Sequence, residues 1–70
     1  MTTALVIEDN EDNMVLITRL LNNAGYQTRE AMTGQAGLEI AITEQPDFIL
    51  LDIQLPDIEG TEVLSRLRAT

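Results

Sequence analysis

The chain has 70 residues with a net charge of −8, and it contains neither cysteine nor histidine. This length suits one small domain, and the missing residue types exclude disulfides, thiolate or imidazole metal ligands and a histidine base. Four scattered arginines cannot form the basic patch that nucleic acid requires. Without an apolar run of about 20 residues or a signal-peptide layout, we expect a cytoplasmic chain with no membrane partner.

The first part of the chain predicts a strand followed by a helix. The apolar run at residues 4–7 predicts a strand over residues 3–8 that is covered on both faces, as in a parallel sheet. Asn10 or Asp12 can cap the following helix, and Gly25 can end it in a left-handed conformation. The main apolar positions of this helix have helical spacing: Met14, Ile17, Leu21 and Ala24.

The rest of the chain continues the alternation of strands and helices. Residues 26–31 alternate polar and apolar side chains, as an edge strand does, and residues 47–51 predict a third, apolar strand. Thr33 can cap a second helix that ends before Pro46. Its apolar residues are Leu38, Ala41 and Ile42, and a third helix over residues 59–68 would bury Val63, Leu64 and Leu67. The resulting βαβαβα pattern with right-handed crossovers predicts an α/β fold with a parallel sheet in the order 2-1-3.

Three carboxylates follow two of the predicted strands. Glu8 and Asp9 follow the first strand, and Asp52 follows the third. Because ligands of open α/β sheets bind outside the carboxyl ends of the strands, we expect these side chains to converge there. Clustered like charges destabilise a fold unless protons or a cation neutralise them. The pattern therefore favours a cation site over a set of unrelated loop acids.

Two segments carry a family resemblance. Val-Ile-Glu-Asp-Asn at residues 6–10 and Ile-Leu-Leu-Asp-Ile-Gln-Leu-Pro at residues 49–56, followed by Glu59-Gly60, resemble the receiver domain of two-component response regulators. The resemblance implies that Asp52 is the phospho-acceptor, the position treated as catalytic in this family. It also implies a Mg²⁺ site, which could take Mn²⁺, formed by Glu8, Asp9, Asp52 and the backbone carbonyl of Gln54.

The same resemblance implies a partner and exposes a departure from the family. The partner would be a histidine kinase or a histidine phosphotransfer protein. Residues 1–70 correspond to the first three strand–helix units of a flavodoxin-like doubly wound sheet, truncated before strands 4 and 5. The family's phosphoryl-sensing Ser or Thr and its paired Lys are missing, and the chain has no lysine at all. We therefore expect a regulatory, non-enzymatic module that switches poorly.

A second function remains open beside the receiver module. The chain could be a non-signalling half-domain that builds a larger sheet by self-association. The outer edge of the third strand would then have unpaired N–H and C=O groups, which are a template for another chain. We expect a two-fold homodimer through this edge and the adjacent apolar surface, with antiparallel strand pairing. The residues expected in this interface are Phe48, Ile49, Leu50 and Leu51, together with some of Val63, Leu64 and Leu67.

Overall fold

Three parallel strands and two helices form an α/β unit. A computed structural model of the chain describes residues 1–52, 62, 65, 66 and 68. Their elements are β1 (Thr3–Ile7), α1 (Glu11–Asn23), β2 (Gln27–Ala31), α2 (Gly34–Glu44) and β3 (Phe48–Leu51). The strands lie in the order β2-β1-β3. The predicted fold class, the parallel sheet and the strand order are therefore confirmed.

The register of the sheet brings the three strand ends to one edge. β1 pairs with both neighbours, so that Ile7 lies opposite Ala31 of β2 and Leu51 of β3. All three of these residues are the last in their strands. Side chains that follow the strands therefore begin at the same level along the sheet.

Side chains from the preceding loops fix the starts of both helices. The Asn10 side chain accepts a hydrogen bond of 2.9 Å from the Asn13 backbone N–H, so Asn10 and not Asp12 is the cap of α1. The Thr33 hydroxyl accepts one of 3.1 Å from the Ala36 N–H, as predicted for α2. Each cap satisfies a backbone donor that has no partner within its helix.

The predicted boundaries differ from the observed ones by single residues. β1 ends at Ile7 instead of residue 8, β2 begins at Gln27 instead of residue 26, and β3 begins at Phe48 instead of residue 47. Ala24 lies just beyond α1 and is exposed, although its spacing predicted a buried helical position. The chain turns away from the helix here, because Gly25 adopts a φ of 96°.

A cluster of buried hydrophobic residues lies between the sheet and α2. Leu5 and Ile7 of β1 pack with Ala31 of β2 and with Leu38 and Ala41 of α2. Leu38 and Ala41, two of the apolar residues predicted for α2, are buried, whereas the third, Ile42, is 51% exposed. Ile42 therefore lies on the side of α2 that faces away from the sheet.

The turn after α2 contains a strained residue. Gln45 follows the last helical residue with φ 49° and ψ 64°, in the left-handed region that glycine adopts without a steric cost. We expect Gln45→Gly to raise the free energy of unfolding by about 0.5–1 kcal/mol, because it relieves a strain of about 1 kcal/mol. Urea denaturation would measure the change. Gln45→Ala is the matched control: it retains the Cβ and should give none of this gain, so equal stabilisation by both would contradict the explanation.

The third predicted helix falls largely outside the described residues. Glu62, Ser65, Arg66 and Arg68 are helical, and Arg66 Nε lies 3.4 Å from Glu62 Oε1. Val63, Leu64 and Leu67, which were expected in the core of this helix, lie outside the described part. Among the helices that the structure describes, none combines the length and the apolar character needed to cross a bilayer.

Candidate functional site

The backbone hydrogen bonds of the sheet continue into the acidic residues. The Glu8 N–H donates to the carbonyl of Ala31 at 3.0 Å, and the Asp52 N–H donates to the carbonyl of Ile7 at 2.9 Å. Both residues are therefore attached to a neighbouring strand although they lie just beyond their own. This attachment fixes where their side chains begin, which is what a preorganised site requires.

The three predicted carboxylates are close together. Glu8, Asp9 and Asp52 each offer one carboxylate oxygen, and these three oxygens lie within 4.8 Å of one another. Glu8 and Asp52 are partly buried, whereas Asp9 is exposed. The three carboxylates therefore converge at the carboxyl ends of β1 and β3, as predicted. The individual roles of the three residues stay predictions.

The surroundings of Glu8 favour its protonated form. Partial burial raises the pKa of Glu8, and a hydrogen bond with Asp52, the negative charge of Asp52 and a hydrogen bond with Asp9 raise it further. The Asn10 backbone N–H, which donates to Glu8 Oε2 at 3.3 Å, acts in the opposite direction because it stabilises the carboxylate. The raised pKa of Glu8 therefore comes first from partial burial and then from the neighbouring carboxyl groups of Asp52 and Asp9.

The donor set fits a hard divalent cation. Mg²⁺ prefers oxygen ligands at about 2.1 Å, so two oxygens on opposite sides of the ion lie about 4.2 Å apart. The spread of 4.8 Å among the three carboxylate oxygens is only slightly larger. A small side-chain rotation would let all three carboxylates contact the ion directly, or one of them could reach it through a bridging water. No nitrogen or sulfur ligand is available from histidine or cysteine, so a soft metal is disfavoured.

Two features of this region did not emerge from the sequence. Asn10 was predicted only as a helix cap, but its own N–H also contacts Glu8, as two residues on one tight turn can. A cleft beside the acids is lined by Ile17 of α1 and Leu50 of β3. Gln54, whose backbone carbonyl was predicted to complete the site, lies outside the described part of the chain.

Comparison with known sequences points to one family. The sequence model of the response regulator receiver domain matches residues 4–70. The polar-differentiation response regulator DivK of Brucella ovis is 41% identical over 66 residues, which are 94% of this chain and 54% of that protein. DivK of Brucella suis matches to the same extent. The chain thus spans about half the length of the curated relatives that it matches.

Solved structures agree with the sequence comparison. A CheY-like receiver domain from Methanospirillum hungatei superposes with a TM-score of 0.95 at 30% identity, over 99% of this chain and 55% of that one. The response regulator TrrA of Thermotoga maritima, solved in complex with Mg²⁺-BeF, gives a TM-score of 0.95 at 30% identity, over 99% of this chain and 60% of that one. The three strands and two helices described above therefore have the geometry of the corresponding part of these proteins.

Proposed function

Because the chain belongs to the response regulator receiver domain family, we propose that it accepts a phosphoryl group on Asp52 from a histidine kinase or a histidine phosphotransfer protein. The observation that carries this proposal is the position of Asp52. It follows β3 directly, its backbone is hydrogen-bonded to β1, and its carboxylate lies beside those of Glu8 and Asp9. Residues 1–70 would be the first three strand–helix units of a receiver, acting in the cytoplasm where such kinases supply phosphoryl groups.

The proposed metal is Mg²⁺, with Mn²⁺ as a substitute. Glu8, Asp9 and Asp52 would hold it together with the carbonyl of Gln54, and the bound ion would offset the negative charge of the incoming phosphoryl group. The carboxylate cluster supports this assignment, as does the Mg²⁺ complex of the similar protein TrrA. Glu8 is the residue whose protonation would compete most directly with metal binding, since its pKa is raised.

The proposed reaction needs no side-chain base. A carboxylate oxygen of Asp52 attacks phosphorus, an O–P bond forms, and the bond from phosphorus to the donor breaks with its electron pair leaving on the donor. An ionised aspartate is already the nucleophile, so the absence of histidine does not obstruct this step. Receiver domains are regulatory modules, and here the protein would assist only its own phosphorylation. With no lysine in the chain to pair with the phosphoryl group, we expect slow, partial labelling.

Labelling by a small phosphodonor tests this proposal. With acetyl phosphate and Mg²⁺, we expect intact-mass spectrometry to detect one added phosphoryl group on the wild-type chain and none on Asp52→Asn. Asp12→Asn is the matched control, because Asp12 is an exposed acid in the first turn of α1. It should label like the wild type. Equal labelling of the Asp52→Asn chain, or rapid and complete labelling of the wild type, would contradict the proposal.

The edge of β3 supports a second function, self-association. Within the described residues, β3 pairs with β1 on one side only. Its four residues carry no charge, and Leu50 is 40% exposed. The opposite edge strand β2 instead presents the exposed, charged Arg29 and Glu30, which discourage pairing. We propose a homodimer in which the β3 edges and the apolar surface next to them meet antiparallel across a two-fold axis.

A charge on this edge should weaken the proposed dimer. In Leu50→Lys, two like charges would face each other near the axis, and we expect the dimer dissociation constant to rise roughly tenfold or more. Sedimentation velocity would measure it. Leu16→Lys is the control, because Leu16 is 57% exposed on α1 and lies outside β3. A wild-type chain that is monomeric at tens of micromolar and gives dispersed, native-like NMR signals would exclude the dimer.

A further inference from the structure

Asn10 joins the start of α1 to one of the three clustered carboxylates. Its side-chain oxygen accepts a hydrogen bond from the Asn13 N–H at 2.9 Å, and its carbonyl accepts one from the Met14 N–H at 2.9 Å. Its own N–H donates to Glu8 Oε2 at 3.3 Å. One residue therefore makes hydrogen bonds in two directions, forward to the first turn of the helix and back to the acid.

The helix side of this link is anchored in the core. Met14 and Thr18 are buried residues of α1, and the Thr18 hydroxyl donates to the Met14 carbonyl at 2.8 Å. Asn10 itself has an extended backbone, with φ −88° and ψ 120°, as the cap of a helix has. Because buried residues hold the first turn in place, the bonds from Asn10 to that turn fix the direction of the Asn10 N–H.

Glu8 is the acid whose side chain gains most from a second point of attachment. Its backbone N–H is bonded to the Ala31 carbonyl of β2, but its side chain has one more rotatable bond than an aspartate has. A fixed donor to one carboxylate oxygen restricts these rotations and leaves the other oxygen available to a ligand. An N–H donor also favours the ionised carboxylate, which is the form that binds a cation.

We propose that Asn10 is a positioning residue for the metal site, because its cap of α1 holds the N–H that orients the Glu8 carboxylate toward the other two acids. This role rests on the proposed Mg²⁺ or Mn²⁺ site and adds to it a residue that does not touch the ion. Groups that orient a metal ligand typically contribute roughly ten- to hundredfold to metal affinity. Removing the cap leaves the N–H in the chain but frees its direction, so we expect a loss at the lower end of this range.

A second helix cap in the chain provides the matched control. At the start of α2, the Thr33 hydroxyl accepts from the Ala36 N–H at 3.1 Å, and the Thr33 carbonyl accepts from the Gly37 N–H at 3.1 Å. Thr33→Ala therefore removes the same kind of cap and leaves the link from Asn10 to Glu8 intact. If a cap acts only through stability, the two alanine substitutions should have the same effect on metal binding.

Mn²⁺ alone is the probe, and electron paramagnetic resonance of the free ion gives its Kd. With the full chain, we expect Asn10→Ala to raise the Kd for Mn²⁺ roughly tenfold and Thr33→Ala to change it by less than about twofold. Asn10→Ser should restore the wild-type Kd, since serine caps a helix as well as asparagine does. Asn10→Gly should also raise the Kd. Glycine at a cap lowers stability much less than alanine, so this variant tests the role even if Asn10→Ala does not fold.

Three-bond ¹³C couplings of the metal-free chains measure the orientation of the Glu8 side chain directly. The wild type, Asn10→Ser and Thr33→Ala should show one dominant rotamer about the Cα–Cβ bond of Glu8, and Asn10→Ala should show averaged couplings. Unchanged couplings or an unchanged Kd in Asn10→Ala, or an equal loss of affinity in Thr33→Ala, would overturn the positioning role alone. A wild-type chain that binds no Mn²⁺ would overturn the proposed metal site and this role with it.

Discussion

Gly37→Ala is expected to lower the free energy of unfolding by up to about 2 kcal/mol. A Cβ at Gly37 would lie 2.7 Å from Ile7 Cγ1 and 3.2 Å from Ile7 Cγ2, and it would meet Cδ1 as well. Ile7 is fully buried, so its side chain has no space into which it can move. Overpacking of this kind costs about 1–3 kcal/mol, and the better helix propensity of alanine offsets about 1 kcal/mol.

A double-mutant cycle separates this contact from a general effect on α2. Ile7→Val removes the Cδ1 atom, and alone it should cost about 0.5–1.5 kcal/mol. In the Gly37→Ala background the same change should cost much less, because it makes room for the new methyl group. Urea denaturation of the four chains would measure the coupling. Strictly additive losses would show that the approach of α2 to β1 is not limited by Gly37 and Ile7.

Asp52→Asn is expected to stabilise the metal-free chain by about 1 kcal/mol at neutral pH. Like charges about 4 Å apart in water-like surroundings repel by about that much, and the carboxylates of Glu8 and Asp52 lie within 4.8 Å. The substitution removes one of them and leaves an amide that can donate to Glu8. Stabilisation by removing the proposed acceptor residue would identify the cluster as a functional arrangement that lowers stability.

The pH dependence of stability follows from Glu8. Its pKa is raised, first by partial burial and then by Asp52 and Asp9, so the folded state binds the proton more tightly than the unfolded state. Stability should therefore fall as pH rises from the ordinary Glu pKa of 4.5 through the raised value. Mg²⁺ at 100 times its Kd should raise the free energy of unfolding by about 2.7 kcal/mol at neutral pH.

Denaturation in EDTA and in Mg²⁺ at several pH values would measure these effects. The free energy of unfolding should fall less steeply with pH in Asp52→Asn, because that substitution removes one cause of the raised pKa of Glu8. Asp12→Asn is the control and should retain the wild-type slope. If Asp52→Asn instead destabilises the metal-free chain at neutral pH, the carboxylates do not repel one another appreciably.

The sequence was sufficient for the fold because its local signals agree with one another. The apolar run of β1, the caps Asn10 and Thr33 and the stop at Gly25 all predict the elements that form. The apolar character of Ile42 did not indicate burial, because this residue lies on the exposed side of α2. The observed strand boundaries differ from the predicted ones by one residue, because neighbouring strands and turns determine where strand pairing begins and ends.

The acidic site was predictable for a different reason. Glu8 and Asp52 follow apolar strands, and parallel pairing necessarily brings such positions to one edge. An apolar surface beside the third strand was expected from the strand order, but the residues of β3 are as apolar as those of β1 and do not show which of them is exposed. The exposure depends on where α1 lies across the sheet, and that position is a tertiary property. For the same reason the cleft between Ile17 and Leu50 left no signal in the sequence.

The proposed acceptor role of Asp52 can be tested at the level of the atom that reacts. An acyl phosphate is reduced by borohydride to an alcohol, so a phosphorylated aspartate becomes homoserine and is located by tandem mass spectrometry. After incubation of the chain with acetyl phosphate and Mg²⁺, we predict homoserine at position 52 and nowhere else. Reduction product at residue 9 or residue 8, or no product under conditions that fold the chain and saturate it with Mg²⁺, would contradict the account.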